Sequence, residues 1–516
     1  MTADVIAVCR PFRAVHGRNA LTAGGRVCIL LSERSVDFWT RSASAHTWQR
    51  GPTVTTTYWS ADIETMPRER IELLQFDLLA DTLRRCTNVP HYREALARVG
   101  AEPGDIRGLD DLTALPCLDK SMLRSLQPWG IQAVPLGEVA RLNATTGTTG
   151  LPCNIAFSRS DLRNIGELGA RNLTAMGVRP DDVAWQCYGY GLWIGGSSLD
   201  RAFEEIGVTT FPAGPGRTSL AIERLRDLGV TVLSCTPTFA LLLIERAHEA
   251  GVDPGTDWKL RVGIFGGETM SPAAMSRLAA AMPAGFRPHN TYGTTELGGP
   301  FVAGTCEHAA EQGAFHVWAD HHLIEILDPE TDERITEPGV RGELVVTTLQ
   351  RQASPMLRWR TRDLTSWVED SFDCPCGRRG HPKISWISGR SDDVLKVRGS
   401  LVMPSQVEDV VCAAVGTGVG WQLVVDRDPD GLRATEAIVV VELADGADPG
   451  TPFELESRLR DRLGIRLPVV AARAGELPRY EGKARRVLGL AEFADVAPAV
   501  AGRLPGTPIS SEPAVR

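Results

Sequence analysis

The 516-residue sequence lacks several features that define large classes of proteins. No apolar run approaches the roughly 20 residues that a membrane-spanning helix needs. The first residues, MTADVIAVCRPF, lack a basic start followed by a clean apolar core, so we expect no secretory signal. There is no excess of positive charge, because 55 lysines and arginines stand against 64 aspartates and glutamates, a net charge of −9. These absences argue against a membrane protein and against a binder of nucleic acid or anionic membranes.

The cysteine content also argues against a secreted, disulfide-stabilised protein. The eleven cysteines are an odd number and are scattered along a long chain. This pattern favours free thiols in a reducing cytoplasm, with or without a metal site, over a disulfide framework. The remaining composition, 43% hydrophobic and 23% charged, is typical of a globular protein of about two to four domains.

The hydrophobic pattern changes along the chain. Residues 1–56 show weak periodicity, and we interpret them as a disordered extension outside the core fold. Helical spacing of apolar residues runs from Met66 to Cys86. Further on, the β-branched runs VTVLSCT (230–236), LRVGIFGG (260–267) and GELVVTT (342–348) alternate with helical stretches, which predicts parallel α/β layers. The last hundred residues form a separate unit, and the tail from Ala497 is predicted to be disordered.

The strongest local signal is the segment NATTGTTGLP at residues 143–152. Its threonines and glycines suit neither a strand nor a helix, and glycine lets the backbone approach a ligand closely. Backbone N–H groups and threonine hydroxyls then form a concave anion site. A flexible turn is the alternative. A Walker loop is excluded because the G-K-[ST] ending is absent.

This segment resembles the phosphate-binding loop of the adenylate-forming enzymes, the family of acyl-CoA synthetases, luciferases and peptide-synthetase adenylation domains. Leu151 stands where that family's loop carries a lysine. Further segments resemble the family's other motifs in the right order: IFGGETM (264–270), TYGTTE (291–296), WRTRDL (359–364), GRSDDVLKVRG (389–399) and PRYEGKARRV (478–487). Other segments between Tyr58 and Leu490, among them YGYGLWIGG (188–196) and FHVWADHH (315–322), are similar to phenylacetate-CoA ligases.

The resemblance implies an α/β fold with two domains. A large N-terminal α/β domain with layered sheets would span residues 57–390, and a small mobile C-terminal α+β domain residues 391–496, followed by a disordered tail at 497–516. The implied activity joins an aromatic acid to the α-phosphorus of ATP and passes the acyl group to coenzyme A, with Mg²⁺ as the metal. The hinge between the domains would be Asp392.

The resemblance also implies roles for individual residues. Lys483 would bridge the substrate carboxylate and the phosphate, and Glu296 would hold Mg²⁺. Asp363 would accept hydrogen bonds from the ribose hydroxyls, unless it is paired with Arg360 or Arg362. The other nucleotide contacts would come from Thr145, Thr146, Gly147, Thr148, Thr149, Gly267, Glu268, Thr269, Tyr292, Gly293, Thr294, Thr295 and Arg390.

The predicted pocket for the carboxylic acid rests on two aromatic residues. By resemblance, Tyr188 and Trp193 flank an aromatic acid, and the alternative is that both are core residues. Phenylacetate ligases usually carry phenylalanine where Trp193 stands, so the larger indole favours a shorter acid such as an amino- or hydroxybenzoate. Hydroxyl or thiol groups for a ring substituent are offered by Cys187, Ser197, Ser198, Thr294 and Thr295.

A metal site is predicted from two segments, CPCGR at residues 374–378 and the polar segment CEHAAEQGAFH at residues 306–316. Cys374 and Cys376 would join Cys306 and His316 in a structural Cys₃His zinc site, with His308 as the rival for the fourth ligand. Free thiols without metal are the alternative.

Two other functions share these motifs. One is an adenylating enzyme that passes its acyl group to a carrier protein or to an amine or hydroxyl acceptor. The other is a non-catalytic homologue, which the missing loop lysine favours and the retained Glu296, Asp363 and Lys483 oppose. The identity of the acid and the oligomeric state stay open.

Overall fold

The computed structural model describes residues 58–145, 152–269, 272–392, 395–397, 400–416, 419–427, 434–444, 446–479 and 485–505. The extension predicted at residues 1–56 lies outside the described residues. Within the described ranges, no helix combines the length and the apolar character needed to cross a membrane.

A helical segment opens the described part of the chain. Its helices are α1 (Ala61–Glu64), α2 (Arg68–Cys86), α3 (Pro90–Arg98), α4 (Leu109–Leu112) and α5 (Lys120–Ser125). Helix α2 confirms the helical spacing predicted there, and it ends with Arg84 and Arg85, whose charges suit the negative end of the helix dipole. Its buried face, with Leu79 and Leu83, joins the main hydrophobic core.

Two sheets form most of the large domain. The elements from the first hairpin to β9 are β1 (Val139–Ala144), β2 (Asn154–Ser158), α6 (Arg159–Ala175), β3 (Val183–Gln186), α7 (Gly195–Ile206), β4 (Thr209–Pro212), α8 (Thr218–Asp227), β5 (Val232–Cys235), α9 (Pro237–Glu249), α10 (Pro254–Asp257), β6 (Val262–Gly266), α11 (Pro272–Ala281), β7 (Arg287–Thr294), β8 (Gly299–Gly304), α12 (Glu307–Glu311) and β9 (Ala314–Val317). The strands that follow are β10 (His322–Leu327), β11 (Arg341–Thr348), β12 (Trp359–Ser366), β13 (Lys383–Ser385) and β14 (Gly389–Arg390).

The eight-stranded sheet has the order β13-β9-β8-β7-β6-β5-β3-β4. Strands β4, β3, β5, β6 and β7 run parallel, whereas β8, β9 and β13 continue it antiparallel. The runs VTVLSCT and LRVGIFGG are confirmed as the parallel strands β5 and β6. Because parallel strands end at the same edge, the segments that follow β3, β5, β6 and β7 meet there, where ligands bind in such sheets.

The strand predicted in GELVVTT does not belong to this sheet. It forms β11, which pairs antiparallel with β10 and β12 in a four-stranded sheet of order β10-β11-β12-β14. The predicted parallel arrangement is wrong for this strand, because no helix separates it from its neighbours and antiparallel pairing follows directly. This second sheet places Asp363 on β12 opposite Arg390 on β14.

A smaller unit follows β14. Its elements are β15 (Leu395–Val397), β16 (Ser400–Val402), α13 (Pro404–Val415), β17 (Trp421–Arg427), β18 (Ala434–Leu443), α14 (Thr451–Leu463), β19 (Val469–Arg473), β20 (Val487–Gly489), α15 (Leu490–Val496) and α16 (Pro498–Ala501). Alternate residues of β17 face opposite sides of the sheet, so Leu423 and Val425 pack in one core and Val424 in another.

The prediction of disorder from Ala497 is wrong for residues 497–505. Helix α16 and the turn after it bury Val500 and Leu504 in the second of these cores. The alanine- and proline-rich composition concealed this short apolar face. Residues 506–516 lie outside the described residues.

Candidate active site

The predicted phosphate loop connects the two strands of the hairpin β1–β2. At its base, Thr145 N donates to the Cys153 carbonyl at 3.1 Å, and Cys153 N donates to Thr145 Oγ1 at 3.1 Å. The two ends of the loop are therefore held together by buried residues. The predicted contacts Thr146, Gly147, Thr148 and Thr149, and the replaced position Leu151, lie outside the described residues.

The predicted magnesium carboxylate, Glu296, is buried just after β7. Lys120 Nζ, from the first turn of α5, lies 2.7 Å from Glu296 Oε1. Sequence reasoning missed Lys120, because most lysines are surface residues and nothing in a single sequence links it to a motif 176 residues further on. The structure thus places a cation beside the carboxylate.

The predicted ribose carboxylate, Asp363, is buried and joined to two other motifs. Tyr292 Oη donates to Asp363 Oδ2 at 2.6 Å, and Arg390 Nη1 donates to Oδ1 at 2.9 Å. Burial, followed by the Asp363 charge, raises the pKa of Tyr292 well above its ordinary value, so the phenol stays a donor. Arg390 also makes two hydrogen bonds to Asp392, of 2.8 and 3.0 Å. This chain of contacts connects β7 to the predicted hinge.

Neither arginine that could have neutralised Asp363 from the same strand is its partner. Arg360 makes hydrogen bonds of 3.2 and 2.9 Å to the two oxygens of Glu343. The Arg362 guanidinium lies 3.6 Å from Glu343 and 3.7 Å from Asp119. The alternative pairing considered for Asp363 is therefore replaced by its contacts with Tyr292 and Arg390.

The predicted adenine segment follows β6. Gly267 has a φ of +81°, a left-handed conformation that favours glycine. Glu268 Oε2 accepts a hydrogen bond of 3.2 Å from the backbone N–H of Thr238, in the first turn of α9. Thr269 lines a cavity, described below, and residues 270–271 lie outside the described residues. Gly293 on β7 is also constrained, since a Cβ there would lie 1.8 Å from the Gly299 carbonyl oxygen.

The predicted aromatic pair lies at the same edge of the sheet. Tyr188 Oη donates to the carbonyls of Cys235 and Gly266, at 2.5 and 3.2 Å, which fixes the buried phenol across the ends of β5 and β6. Its ring meets Trp193 edge-on at 5.6 Å between centroids. The half-buried indole lies against the start of α7, where a Cβ on Gly195 would be 2.1 Å from it.

The polar groups suggested for a ring substituent are mostly occupied. Ser197 Oγ donates to the Ile194 carbonyl and accepts from Arg141 Nη1, both at 3.0 Å. Ser198 Oγ donates to the Gly298 carbonyl at 3.4 Å. Burial raises the pKa of Cys187, which therefore stays a neutral thiol. The Thr294 hydroxyl is buried and has no hydrogen-bond partner among the described residues.

The four predicted metal ligands come together around β9, with Cys306 just after β8 and His316 on β9 itself. Cys306, His316, Cys374 and Cys376 place their ligand atoms within 4.8 Å of one another. Cys306 Sγ lies 3.7 Å from Cys374 Sγ and 3.6 Å from His316 Nε2, and Cys376 Sγ lies 3.4 Å from His316 Nε2. A tetrahedral zinc with bonds of about 2.3 Å to sulfur and 2.0–2.1 Å to nitrogen would separate ligands by roughly 3.8 Å and 3.5 Å.

The surroundings favour His316 over His308 as the fourth ligand. His316 Nδ1 lies 3.2 Å from the His381 carbonyl, so it carries the proton and leaves Nε2 for a metal. His308 is exposed and outside the cluster. Cys376 is also anchored through its carbonyl, which accepts a hydrogen bond of 2.6 Å from Tyr58 Oη.

The predicted adenylation lysine, Lys483, lies outside the described residues. Arg479 and Arg486, which flank its segment, line a cavity of about 370 Å³. The opposite wall comes from α9, α11 and Thr269 of the adenine segment. The residues on either side of the segment that carries Lys483 therefore lie at a cavity that Thr269, a predicted nucleotide contact, also lines.

Comparisons with known proteins identify the family of this chain. Residues 109–350 match the AMP-binding enzyme family model, and residues 399–490 match the model of the AMP-binding enzyme C-terminal domain. The chain is 35% identical to the phenylacetate-coenzyme A ligase of Thermus thermophilus, over 84% of this chain and 99% of the relative. It is 34% identical to the phenylacetate-coenzyme A ligase of Escherichia coli, over 83% of this chain and 97% of the relative.

A solved structure also matches most of the chain. The 2-hydroxyisobutyryl-CoA ligase in its postadenylation state superposes with a TM-score of 0.77 at 25% identity, covering 86% of this chain and 95% of that one. The same ligase in its thioesterification state gives a TM-score of 0.62. The chain thus has the two-domain fold of such ligases, in an arrangement nearer to the postadenylation state. On this evidence, the chain belongs to the family of AMP-binding, adenylate-forming enzymes, with phenylacetate-coenzyme A ligases among its relatives.

Proposed function

We propose that this enzyme activates an aromatic carboxylic acid with ATP and transfers the acyl group to coenzyme A. The proposal is supported by the positions of these residues on neighbouring strands: Glu296 follows β7, Asp363 is bonded to Tyr292 of β7, and Tyr188 is bonded across the ends of β5 and β6. A polyanion site, a ribose site and an aromatic pocket are then adjacent, as an acyl-adenylate requires. The phenylacetate-coenzyme A ligases among the relatives support the same reaction class.

In the first half-reaction, a carboxylate oxygen attacks the α-phosphorus and pyrophosphate leaves. Glu296 is a hard oxygen ligand that suits Mg²⁺, which would neutralise phosphate charge when bound. Lys120 orients Glu296 and adds a positive charge beside the hairpin that holds the phosphate loop. Lys483 would bridge the carboxylate and the α-phosphate. The chemistry is mainly positioning and charge stabilisation.

Asp363 and Arg390 would couple nucleotide binding to domain rotation. Asp363 binds the ribose, and Arg390 contacts both Asp363 and the hinge residue Asp392. A rotation about Asp392 would therefore leave Arg390 beside Asp363, because β14 stays paired with β12, and would change the hydrogen bonds between Arg390 and Asp392 for the second half-reaction. A coenzyme A thiol would then attack the acyl-adenylate and release AMP.

The acid is proposed to be a benzoate rather than an arylacetate. The hydrogen bonds of Tyr188 fix one wall of the pocket, and Trp193 fills more of it than phenylalanine would. The unpartnered Thr294 hydroxyl offers a contact for a ring amino or hydroxyl group. The zinc site is proposed to be structural, because four protein ligands leave no open position.

ATP–pyrophosphate exchange over a panel of aromatic acids tests the first half-reaction. Exchange should depend on the acid and be fastest with 2-amino- or hydroxybenzoates. Mass spectrometry with coenzyme A, a carrier protein or an amine as acceptor tests the second, and the aryl-CoA thioester should dominate. Exchange without any thioester would point to one of the other acceptors, and no exchange with any acid would refute the proposed activity.

A further inference from the structure

Strand β12 is interrupted at the ribose carboxylate. Arg360 of β12 lies opposite Val345 of β11, and Leu364 lies opposite Glu343. One residue of β11 therefore faces three residues of β12, Thr361–Asp363, which form a β-bulge. A bulge bends its strand and changes the direction in which its side chains point. The direction of the ribose carboxylate, on the last of these three residues, therefore depends on the shape of the bulge.

The middle residue of the bulge, Arg362, has a left-handed backbone. Its φ is +66°, a region that residues other than glycine enter at a cost. Such a conformation persists only where the surroundings hold it, and it is found most often at functional sites. Arg362 N donates to the buried Glu343 Oε1 at 3.1 Å, and the Arg362 carbonyl accepts from Ser391 N at 2.7 Å. The conformation is thus held from β11 on one side and from the residue after β14 on the other.

The peptide group between Arg362 and Asp363 is bonded at both ends. Its carbonyl accepts from Ser391 N, and its N–H donates to Thr361 Oγ1 at 3.1 Å. The carboxylate that follows accepts the hydrogen bond of 2.6 Å from Tyr292 Oη. A change of φ at Arg362 would rotate this peptide group, break its two hydrogen bonds and carry the carboxylate away from the tyrosine.

The side chain of Arg362 contributes less to this arrangement than its backbone does. The guanidinium lies 3.6 Å from Glu343 and 3.7 Å from Asp119, distances longer than those of hydrogen bonds, and the side chain is 31% exposed. Partly exposed ion pairs of this kind are worth little. The contribution of this position is therefore its backbone conformation.

We infer that Arg362 is a positioning residue for ribose recognition, and that its left-handed backbone directs the Asp363 carboxylate to the ribose hydroxyls of ATP. The inference rests on the proposed function, because it explains how Asp363 is set for the role given to it there. A residue that disfavours this conformation would shift the bulge and weaken the contacts with the hydroxyls. Glycine would keep the conformation without the guanidinium.

Calorimetric binding of ATP and of 2′,3′-dideoxy-ATP, measured without an acid, tests this inference. The ratio of the two dissociation constants reports the contacts with the ribose hydroxyls, and it does not depend on the fraction of folded enzyme. Arg362→Val should reduce the preference for ATP about tenfold, because a β-branched residue disfavours the left-handed region and a hydrogen bond to a charged group is worth about that factor. Arg362→Gly should keep the preference of the unsubstituted enzyme.

Two further variants complete the test. Arg473→Val makes the same replacement at an exposed position of β19, so it is the matched control and should leave the preference unchanged. Arg362→Thr carries a smaller β-branched side chain and should lose the preference as the valine variant does. It takes the place of Arg362→Val if that variant does not fold.

Three results would overturn the inference. The first is a β-branched variant that prefers ATP as strongly as Arg362→Gly does. The second is a loss of preference in Arg362→Gly itself, which would assign the effect to the guanidinium. The third is an unsubstituted enzyme that binds both nucleotides equally, because Asp363 would then not contact the ribose. Failure of the proposed function differs from all three: ATP would still be preferred, but no aromatic acid would support pyrophosphate exchange.

Discussion

Replacing Glu64 by glutamine should destabilise the enzyme strongly, although Glu64 has no role in the proposed chemistry. Glu64 and Arg378 have exposed fractions of 0% and 1%, and Arg378 Nε and Nη2 lie 2.8 and 2.7 Å from Glu64 Oε2. The other oxygen accepts hydrogen bonds of 2.7 Å from the backbone N–H groups of Trp59 and Ser60. One carboxylate thereby joins the first described residues to the predicted zinc loop.

The size of the expected loss in unfolding free energy follows from the burial of this ion pair. Glutamine removes the negative charge that balances Arg378. Its NH₂ group also replaces a carboxylate oxygen that accepts hydrogen bonds, so one hydrogen-bond donor would face the N–H donors of its neighbours. Breaking a buried pair in this way costs about 3–5 kcal/mol. The control is Glu72→Gln, which breaks a pair with Arg68 of the same 2.7 Å length but with side chains 46% and 53% exposed. That change should cost under about 1 kcal/mol.

Urea unfolding of the two variants and the unsubstituted enzyme provides the measurement. Glu64→Gln should lower the midpoint far more than Glu72→Gln at a similar slope. Adding Arg378→Met to Glu64→Gln should recover part of the loss, because the unbalanced charge is then gone. Equal, small effects of Glu64→Gln and Glu72→Gln would refute the buried-pair reasoning.

Three further outcomes are expected. Trp193→Phe should shift the kcat/KM ratio toward phenylacetate over benzoates by about 1–3 kcal/mol, and an unchanged ratio would place the indole in the core. Cys374→Ser should lower both the zinc content measured by elemental analysis and the thermal stability, with acid preference unchanged, whereas a fully stable enzyme purified without zinc would contradict the metal site. Burial lowers the pKa of His289 and His322 to about 3, so both are neutral when folded and protonated when unfolded at pH 5. Unfolding at pH 5 should therefore take up about two protons from these residues, and stability should fall as the pH drops below about 6.5; no net uptake in calorimetry at several buffer enthalpies would contradict this.

The sequence predicted best those features that are encoded locally. The spacing of apolar residues in α2 and the β-branched runs of β5 and β6 depend on neighbours along the chain, and the structure confirms them. The cluster of metal-ligand residues was also found, because cysteine and histidine in polar segments are uncommon enough to be noticed. The sheet that contains β11 was not found, since pairing direction depends on how strands are connected.

The features that were missed are long-range. Lys120 meets Glu296 only after the chain folds, and nothing near Lys120 in the sequence points to that contact. The buried pair of Glu64 and Arg378 joins residues 314 positions apart. Composition was misleading at the tail, where a proline- and alanine-rich segment still buries Val500.

The fate of the carboxylate oxygens distinguishes an acyl-adenylate from other activated forms of the acid. The acid that supports the fastest exchange is labelled with ¹⁸O in both carboxylate oxygens and incubated with ATP, Mg²⁺ and coenzyme A, and the products are weighed by mass spectrometry. Attack of the carboxylate on the α-phosphorus should leave one ¹⁸O in AMP and the other in the thioester carbonyl. Formation of ADP, with ¹⁸O in inorganic phosphate, would contradict an acyl-adenylate and the account built on it.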